Sequence, residues 1–130
     1  MGLDNGIVIK NIDKINLIIP KKIRNTYYLQ GEVTYWRKCW GIREAILNVL
    51  NSTGASWEEW EFEVNREQLK NIIIEMKKFT KRKYWERYAD SIWEYDEFKH
   101  NQKRNIKALK WLYKCMGKNP EIEVYFYDSY

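Results

Sequence analysis

Residues 31–50, GEVTYWRKCWGIREAILNVL, decide how the rest of the chain is read. At about 100° per residue, Tyr35, Trp36, Cys39, Trp40, Ile42, Ile46, Leu47 and Leu50 fall on one arc, and Arg43 falls near its middle. The spacing predicts a helix here, although Gly41 inside it costs about 1 kcal/mol against Ala. A guanidinium aimed at the core stays ionised, so it requires a carboxylate partner, a bound anion or a water-filled cleft. Two readings satisfy that need. In one, Tyr35, Trp36 or Trp40 stacks a base or ring while Arg37, Lys38 and Arg43 hold phosphate oxygens. In the other, Arg37, Lys38 or Arg43 pairs with Glu94, Asp96 or Glu97 and locks two helices together. Glu94 and Asp96 are then the first candidates to face Arg43.

Working outward, Gly6–Lys10 (GIVIK) alternates and is β-branched, which predicts a strand, and Ile15–Ile19 is a second possible strand closed by Pro20. A basic, turn-rich stretch, KKIRN, follows, and Tyr27–Gln30 extends toward the helix. Asn51, Ser52, Thr53 and Gly54 end that helix. Over Trp57–Val64, the apolar Trp60, Phe62 and Val64 alternate with Glu59, Glu61 and Glu63, a half-buried strand whose acidic side faces water or a cation. Asn65 with Gln68 makes a capping-box start for a helix bearing Leu69, Ile72, Ile73, Met76 and Phe79. KKFTKRK breaks that pattern, and residues 83–92 fit neither period. From Tyr95 to Met116 an apolar stripe runs through Phe98, Ile106, Leu109 and Leu112, with Gln102 inside it. Lys99, Lys103, Lys107, Lys110 and Lys114 form a separate edge within an arc of about 80°. Gly117 and Pro120 stop this helix, and EIEVYFYD at 121–128 predicts the last strand. The order β, α, β, α, α, β predicts an α+β fold: helices packed on a small, mainly antiparallel sheet, with a long C-terminal amphipathic helix followed by a final strand. No repeat or linker divides the chain, so residues 1–130 are expected to form one domain.

The chain's 130 residues suffice for a core without staples. Its 7 Trp and 10 Tyr supply either an aromatic core or an exposed stacking surface. The net charge of +5 is unevenly spread: residues 66–118 hold 15 Lys and Arg against 7 Asp and Glu, leaving 8 against 11 elsewhere. Such asymmetry favours an anionic partner for the basic half, or self-association between opposite faces as a homo-oligomer. Cys39 and Cys115 lie in apolar helical patterns, which predicts reduced, buried thiols. With His100 the only histidine, Cys/His zinc spacing is absent, and no metal is expected. There is no apolar run of membrane-spanning length and no signal-peptide pattern, so the expectation is a cytoplasmic protein without a membrane partner.

Three blocks carry a resemblance. EVTYWRK resembles the EVxYWRK signature of a family of small bacteriophage proteins that usually begin MGLDMY, where this chain begins MGLDNG. WEFEVNREQLKNII resembles that family's short strand followed by V-S-R-E-x-L-x-x-L, and WEYDEF resembles its E-Y-D-E segment. The blocks keep their order and span nearly the whole chain. The resemblance implies a phage or prophage origin and a protein made in the cytoplasm of the bacterial host, and it brings no activity with it. Asn5 replaces the family's usual Met, and Trp40 and Arg43 stand where Asn and His are more frequent, so chemistry requiring an imidazole at 43 is not expected.

Enzyme motifs are missing: there is no phosphate-binding glycine loop, nucleophile elbow or H-E-x-x-H. Asp96-Glu97-Phe98-Lys99 contains an E-x-K that with Asp90 suggests a nuclease, but acidic residues opening a helix serve its dipole. The expectation is a non-enzymatic, cofactor-free accessory protein. One version sequesters a nucleotide-like or other phosphorylated ligand at Tyr35, Trp36, Arg37, Lys38, Trp40 and Arg43 to counter host defence. The alternative is an anti-CRISPR-like inhibitor that binds nucleic acid or a host defence protein through Lys81, Arg82 and Lys83 beside Tyr84 and Trp85, and through the Lys99–Lys114 edge.

Overall fold

The computed structural model describes residues 3–23, 31–56, 59–91 and 93–129. Strand β1 (Asp4–Ile9) is followed by a 3-10 turn at Lys21–Ile23, then by β2 (Glu32–Arg37) and helix α1 (Trp40–Leu50). Strand β3 (Glu61–Glu63), helices α2 (Arg66–Lys78), α3 (Arg82–Tyr88) and α4 (Tyr95–Lys118), and strand β4 (Val124–Ser129) complete the order. The four strands form one antiparallel sheet in the order β2-β1-β4-β3. This is the α+β architecture read from the pattern, including the long amphipathic helix and the closing strand.

Register assigns the two faces. Asn5, Ile7 and Ile9 of β1 align with Trp36 and Thr34 of β2 and with Asp128, Phe126 and Val124 of β4, and Phe62 pairs with Phe126. All of these are buried. The helices cover this face. The Trp36 indole N–H donates to Gln102 Oε1 of α4 at 2.8 Å, and the Gln102 amide donates to the Met76 carbonyl of α2 at 3.0 Å. Gln102 therefore belongs in the apolar stripe because its amide is satisfied at both ends, which removes the cost of burying it. The opposite face carries Asp4, Gly6 and Val8 with Tyr35, Glu32, Tyr125 and Tyr127.

The stretch 31–50 is not one helix. Residues 32–37 form β2, Lys38 takes a left-handed φ of 53°, and the helix begins at Trp40. Val33, Thr34, Tyr35 and Trp36 are β-branched or aromatic, and β1 pairs with Glu32 and with Thr34 to Arg37, so strand pairing wins over the helical arc before Trp40. Gly41 is explained by the same shift. It lies in the first turn of α1, where its N–H donates to the Ala89 carbonyl at 2.9 Å, and a Cβ there would overlap the Tyr88 carbonyl oxygen.

Other boundaries move for similar reasons. Residues 15–19 form no strand: β1 is already paired on both sides, and this segment turns instead, with the Leu17 N–H donating to the Ile15 carbonyl. Ile18 is left 76% exposed while Ile19 is buried. The acidic strand shortens to Glu61–Glu63, with Trp57 and Glu58 outside the described residues, as are Tyr27–Gln30. The last strand starts at Val124 because the Ile122 N–H closes a turn on the Asn119 carbonyl. The segment without a clear period contains α3, whose Trp85 packs on Tyr95 and Phe98 of α4 at 5.2 and 6.2 Å between ring centres. The α2 cap is as read: the Asn65 side chain accepts from the Gln68 N–H at 2.8 Å and the Gln68 side chain accepts from the Asn65 N–H at 2.9 Å. Among the described residues no helix is long and apolar enough to cross a membrane.

Candidate functional site

Of the six residues expected to form one cleft, Trp40 and Arg43 stay together, with the guanidinium 5.7 Å from the centre of the Trp40 ring, and the others are dispersed. Because β2 is a strand, Tyr35 and Trp36 point to opposite faces of the sheet. Trp36 is 1% exposed and belongs to the core, which removes it as a stacking ring. The Tyr35 hydroxyl donates to Asp4 on the open face; burial and then that carboxylate push its pKa above the usual range. Arg37 is exposed at the end of β2 and Lys38 is half-buried in the turn beyond it. Trp40, 40% exposed, lines a different depression together with Glu44, Glu75 and Asp90.

Arg43 is buried, and its partner is Asp128 of β4. Its Nε donates to Asp128 Oδ1 at 2.8 Å and its Nη2 to Oδ2 at 3.0 Å, while Nη1 reaches Glu44 at 3.1 Å on the surface side. Asp128 also accepts from Asn5 Nδ2 and from the Ala55 N–H, both at 2.8 Å. Burial pushes the Asp128 carboxyl upward, but these donors and the guanidinium charge outweigh it and hold it below the usual carboxylate range. Gly54, at φ 101°, passes over the pair where a Cβ would strike the Arg43 guanidinium. The expectation that Glu94 or Asp96 would face Arg43 is thus corrected. Glu94, Asp96 and Glu97 are exposed at the start of α4, where they favour the helix dipole. Asp128 was missed because its partner lies 85 positions away in sequence.

On the open face of the sheet, the Tyr127 hydroxyl donates to Glu32 Oε2 at 2.9 Å. Glu32 is 1% exposed, and burial pushes its pKa up to about 7, with the Tyr127 hydrogen bond opposing and the Asp4 charge adding to the rise. A cleft of about 480 Å³ opens here, lined by carboxylates and by a Lys10–Glu61 ion pair of 2.7 Å. Its mixed charge offers a phosphate no net attraction.

The lysine edge of α4 gives a different result. Lys107, Lys110 and Lys114 converge with Lys22 of the 3-10 turn around Trp111, over a floor made by Pro20 and Ile23. This cleft holds about 470 Å³, and among the described residues every charged one in its lining is a lysine. Helical spacing explains the convergence: Trp111 is four residues after Lys107 and three before Lys114, so the three share one face. Ile23 is buried and anchors the turn, while Lys22, Lys107, Lys110 and Lys114 remain exposed. Lys99 and Lys103 continue the edge toward the N-terminus of α4, each step of four residues advancing about 6 Å. There Lys99 Nζ and the Arg82 guanidinium both lie over the Tyr95 ring, at 5.6 and 5.4 Å. Arg82 also pairs with Glu86 at 3.2 Å, and Lys81 and Lys83 are exposed beside it. The separate basic clusters at 81–83 and 99–114 therefore meet at Tyr95. Lys22, Trp111, Pro20 and Ile23 were not read from sequence. The one available signal was the position of Trp111 between Lys107 and Lys114.

Compared with protein-family models, curated proteins and solved structures, the chain matches none.

Among the described residues, no group of three or more His, Cys, Asp and Glu is placed to hold a metal ion. Cys39 and Cys115 are free thiols. Burial pushes Cys39 up to about 11 and Cys115 above its ordinary value, so neither is activated as a nucleophile.

Proposed function

We propose that this chain acts by binding single-stranded nucleic acid along the lysine edge of α4, with Trp111 as the stacking ring. The observation that carries the reading is the Trp111 cleft, whose charged lining among the described residues is Lys22, Lys107, Lys110 and Lys114, without a carboxylate. A base stacked on an indole contributes about 1–3 kcal/mol, and lysines along the backbone supply the salt-sensitive remainder. We extend this reading to the setting that the resemblance to phage proteins implies: an accessory of infection that shields or withholds nucleic acid from a host defence factor. A phosphorylated small ligand in the same cleft is the second reading. It is favoured by the volume, since about 470 Å³ lies within the range of small-molecule pockets.

Fluorescence anisotropy of a labelled oligothymidylate, titrated across salt, separates the two. Four lysine–phosphate contacts predict that log K falls with log salt at a slope of about −3, whereas an enclosed ligand depends less on salt. Trp111→Ala should weaken binding about tenfold. Charge reversal of Lys103 and Lys110 to Glu should abolish it while changing stability by no more than about 0.5 kcal/mol each, because both side chains are exposed. Absence of binding by the wild-type protein at low salt would discard the nucleic-acid reading.

A further inference from the structure

The cleft on the open face of the sheet is built by three strands at once. Tyr127 of β4 lies across β1 to reach Glu32 of β2, its hydroxyl donating at 2.9 Å. Gly6 makes that crossing possible, since a Cβ there would stand 2.5 Å from a Tyr127 ring carbon. The result is a carboxyl group that is 1% exposed and still borders a cleft of about 480 Å³. Its Oε2 is taken by Tyr127, whereas among the described residues no donor reaches Oε1 and no cation pairs with the group. A buried acceptor without a donor is costly and rare, so this oxygen points to a ligand that donates to it. Trp60 borders the same cleft. It is fixed through its carbonyl, which accepts from the Asp128 N–H at 2.8 Å, and its ring stays 52% exposed. Among the described residues neither another ring nor a cation lies against it.

We propose that this cleft binds a sugar ring, with the Trp60 indole against its C–H face and Glu32 and Asp4 accepting from its hydroxyl groups. A pyranose joins an apolar face of C–H bonds to a rim of hydroxyl donors, and an exposed indole beside carboxylate acceptors matches both. Asp4 accepts from the Tyr35 hydroxyl through Oδ1, and no described donor reaches its Oδ2. Ser129, at the end of β4, adds a hydroxyl that donates or accepts. The charge of the lining selects a neutral ligand. Lys10 neutralises Glu61 at 2.7 Å, and burial holds Glu32 near 7, so that about half of it is protonated at neutral pH. A phosphate meets the acidic wall, and an organic cation finds Glu61 already paired and Glu32 half neutral, whereas hydroxyl groups oppose neither sign. The ring belongs to a free sugar or to the end of a polysaccharide, which share this chemistry. The site does not depend on the nucleic-acid reading, since the two clefts share no residue.

The test is an NMR titration of the intact protein with glucose, galactose, mannose and maltotriose, and with cyclohexanol and agmatine as the apolar and cationic comparisons. The Trp60 indole N–H and the Tyr127 amide are followed. A saturable shift is expected with at least one sugar, at lower concentration than with cyclohexanol, which keeps the ring without the rim of hydroxyls. Maltotriose binding tighter than glucose identifies a chain end as the source, and equal or weaker binding identifies a free sugar. Trp60→Ala should weaken the best sugar about fivefold, with an unchanged melting temperature because the ring is exposed. Glu32→Gln keeps an acceptor for the Tyr127 hydroxyl and turns a donor toward the cleft, so it should weaken the same sugar about fivefold without unfolding the protein. Agmatine binding tighter than every sugar, cyclohexanol equal to the best sugar, or a best sugar indifferent to Trp60→Ala overturns the proposal. So does the absence of a saturable shift with any sugar up to about 50 mM, a level at which even weak sites fill.

Discussion

Arg43→Met tests the most heavily constrained contact in the molecule. Arg43 is 7% exposed and Asp128 0% exposed, and the guanidinium grips both carboxylate oxygens, at 2.8 and 3.0 Å. Replacing Arg43 alone leaves Asp128 buried with only the Asn5 and Ala55 donors. Loss of one partner from such a pair costs about 3–5 kcal/mol, a large part of the 5–15 kcal/mol typical of a domain. The cost must depend on pH. In the wild type the depressed Asp128 pKa contributes stability above the unfolded carboxylate value, lost as pH falls through the folded one. In the variant the uncompensated carboxyl is raised instead, so its stability falls as pH climbs above the unfolded value. Urea denaturation of both proteins at pH 5 and pH 8 should therefore show the larger difference at pH 8. Arg43→Met combined with Asp128→Asn should recover part of the loss, because the neutral amide keeps an acceptor for Asn5 and Ala55 and leaves no charge buried. A difference below about 1 kcal/mol, or one independent of pH, would refute the claim that this pair is a desolvated structural lock.

Glu32 should have the opposite pH signature. Its pKa is raised from 4.5 to about 7, so its contribution to stability is complete below the unfolded value and is lost as pH rises through about 7. Glu32→Gln retains an acceptor for the Tyr127 hydroxyl and should be more stable than wild type at pH 8 by about 3 kcal/mol, with no gain at pH 4; equal urea midpoints at pH 8 would contradict this. For the thiols, titration of unreduced protein should find both Cys39 and Cys115 free after denaturation, with Cys39 reacting slowly in the native state because it is buried and held near 11. A fast-reacting Cys39 would place it outside the core.

Where local chemistry sufficed, the sequence alone determined structure. The α2 start follows from Asn65 and Gln68 satisfying each other's backbone N–H groups, and α4 from an apolar stripe sustained over six turns and stopped after Gly117. The sequence also determined that Arg43 needed compensation and that α4 carried a basic edge, since both follow from charge and helical spacing. Tertiary structure decided the rest. Val33 to Trp36 became a strand because β1 was available to pair with them, and that sent Tyr35 and Trp36 to opposite faces and dissolved the expected cleft. Asp128 became the partner of Arg43 only when β4 returned to the centre of the sheet beside β1. The lysine edge became a cleft only when Ile23 was buried and brought Lys22 to Trp111. Each of these depends on residues distant in the chain, whose meeting is set by burial and strand pairing across the whole fold, terms that no local periodicity encodes.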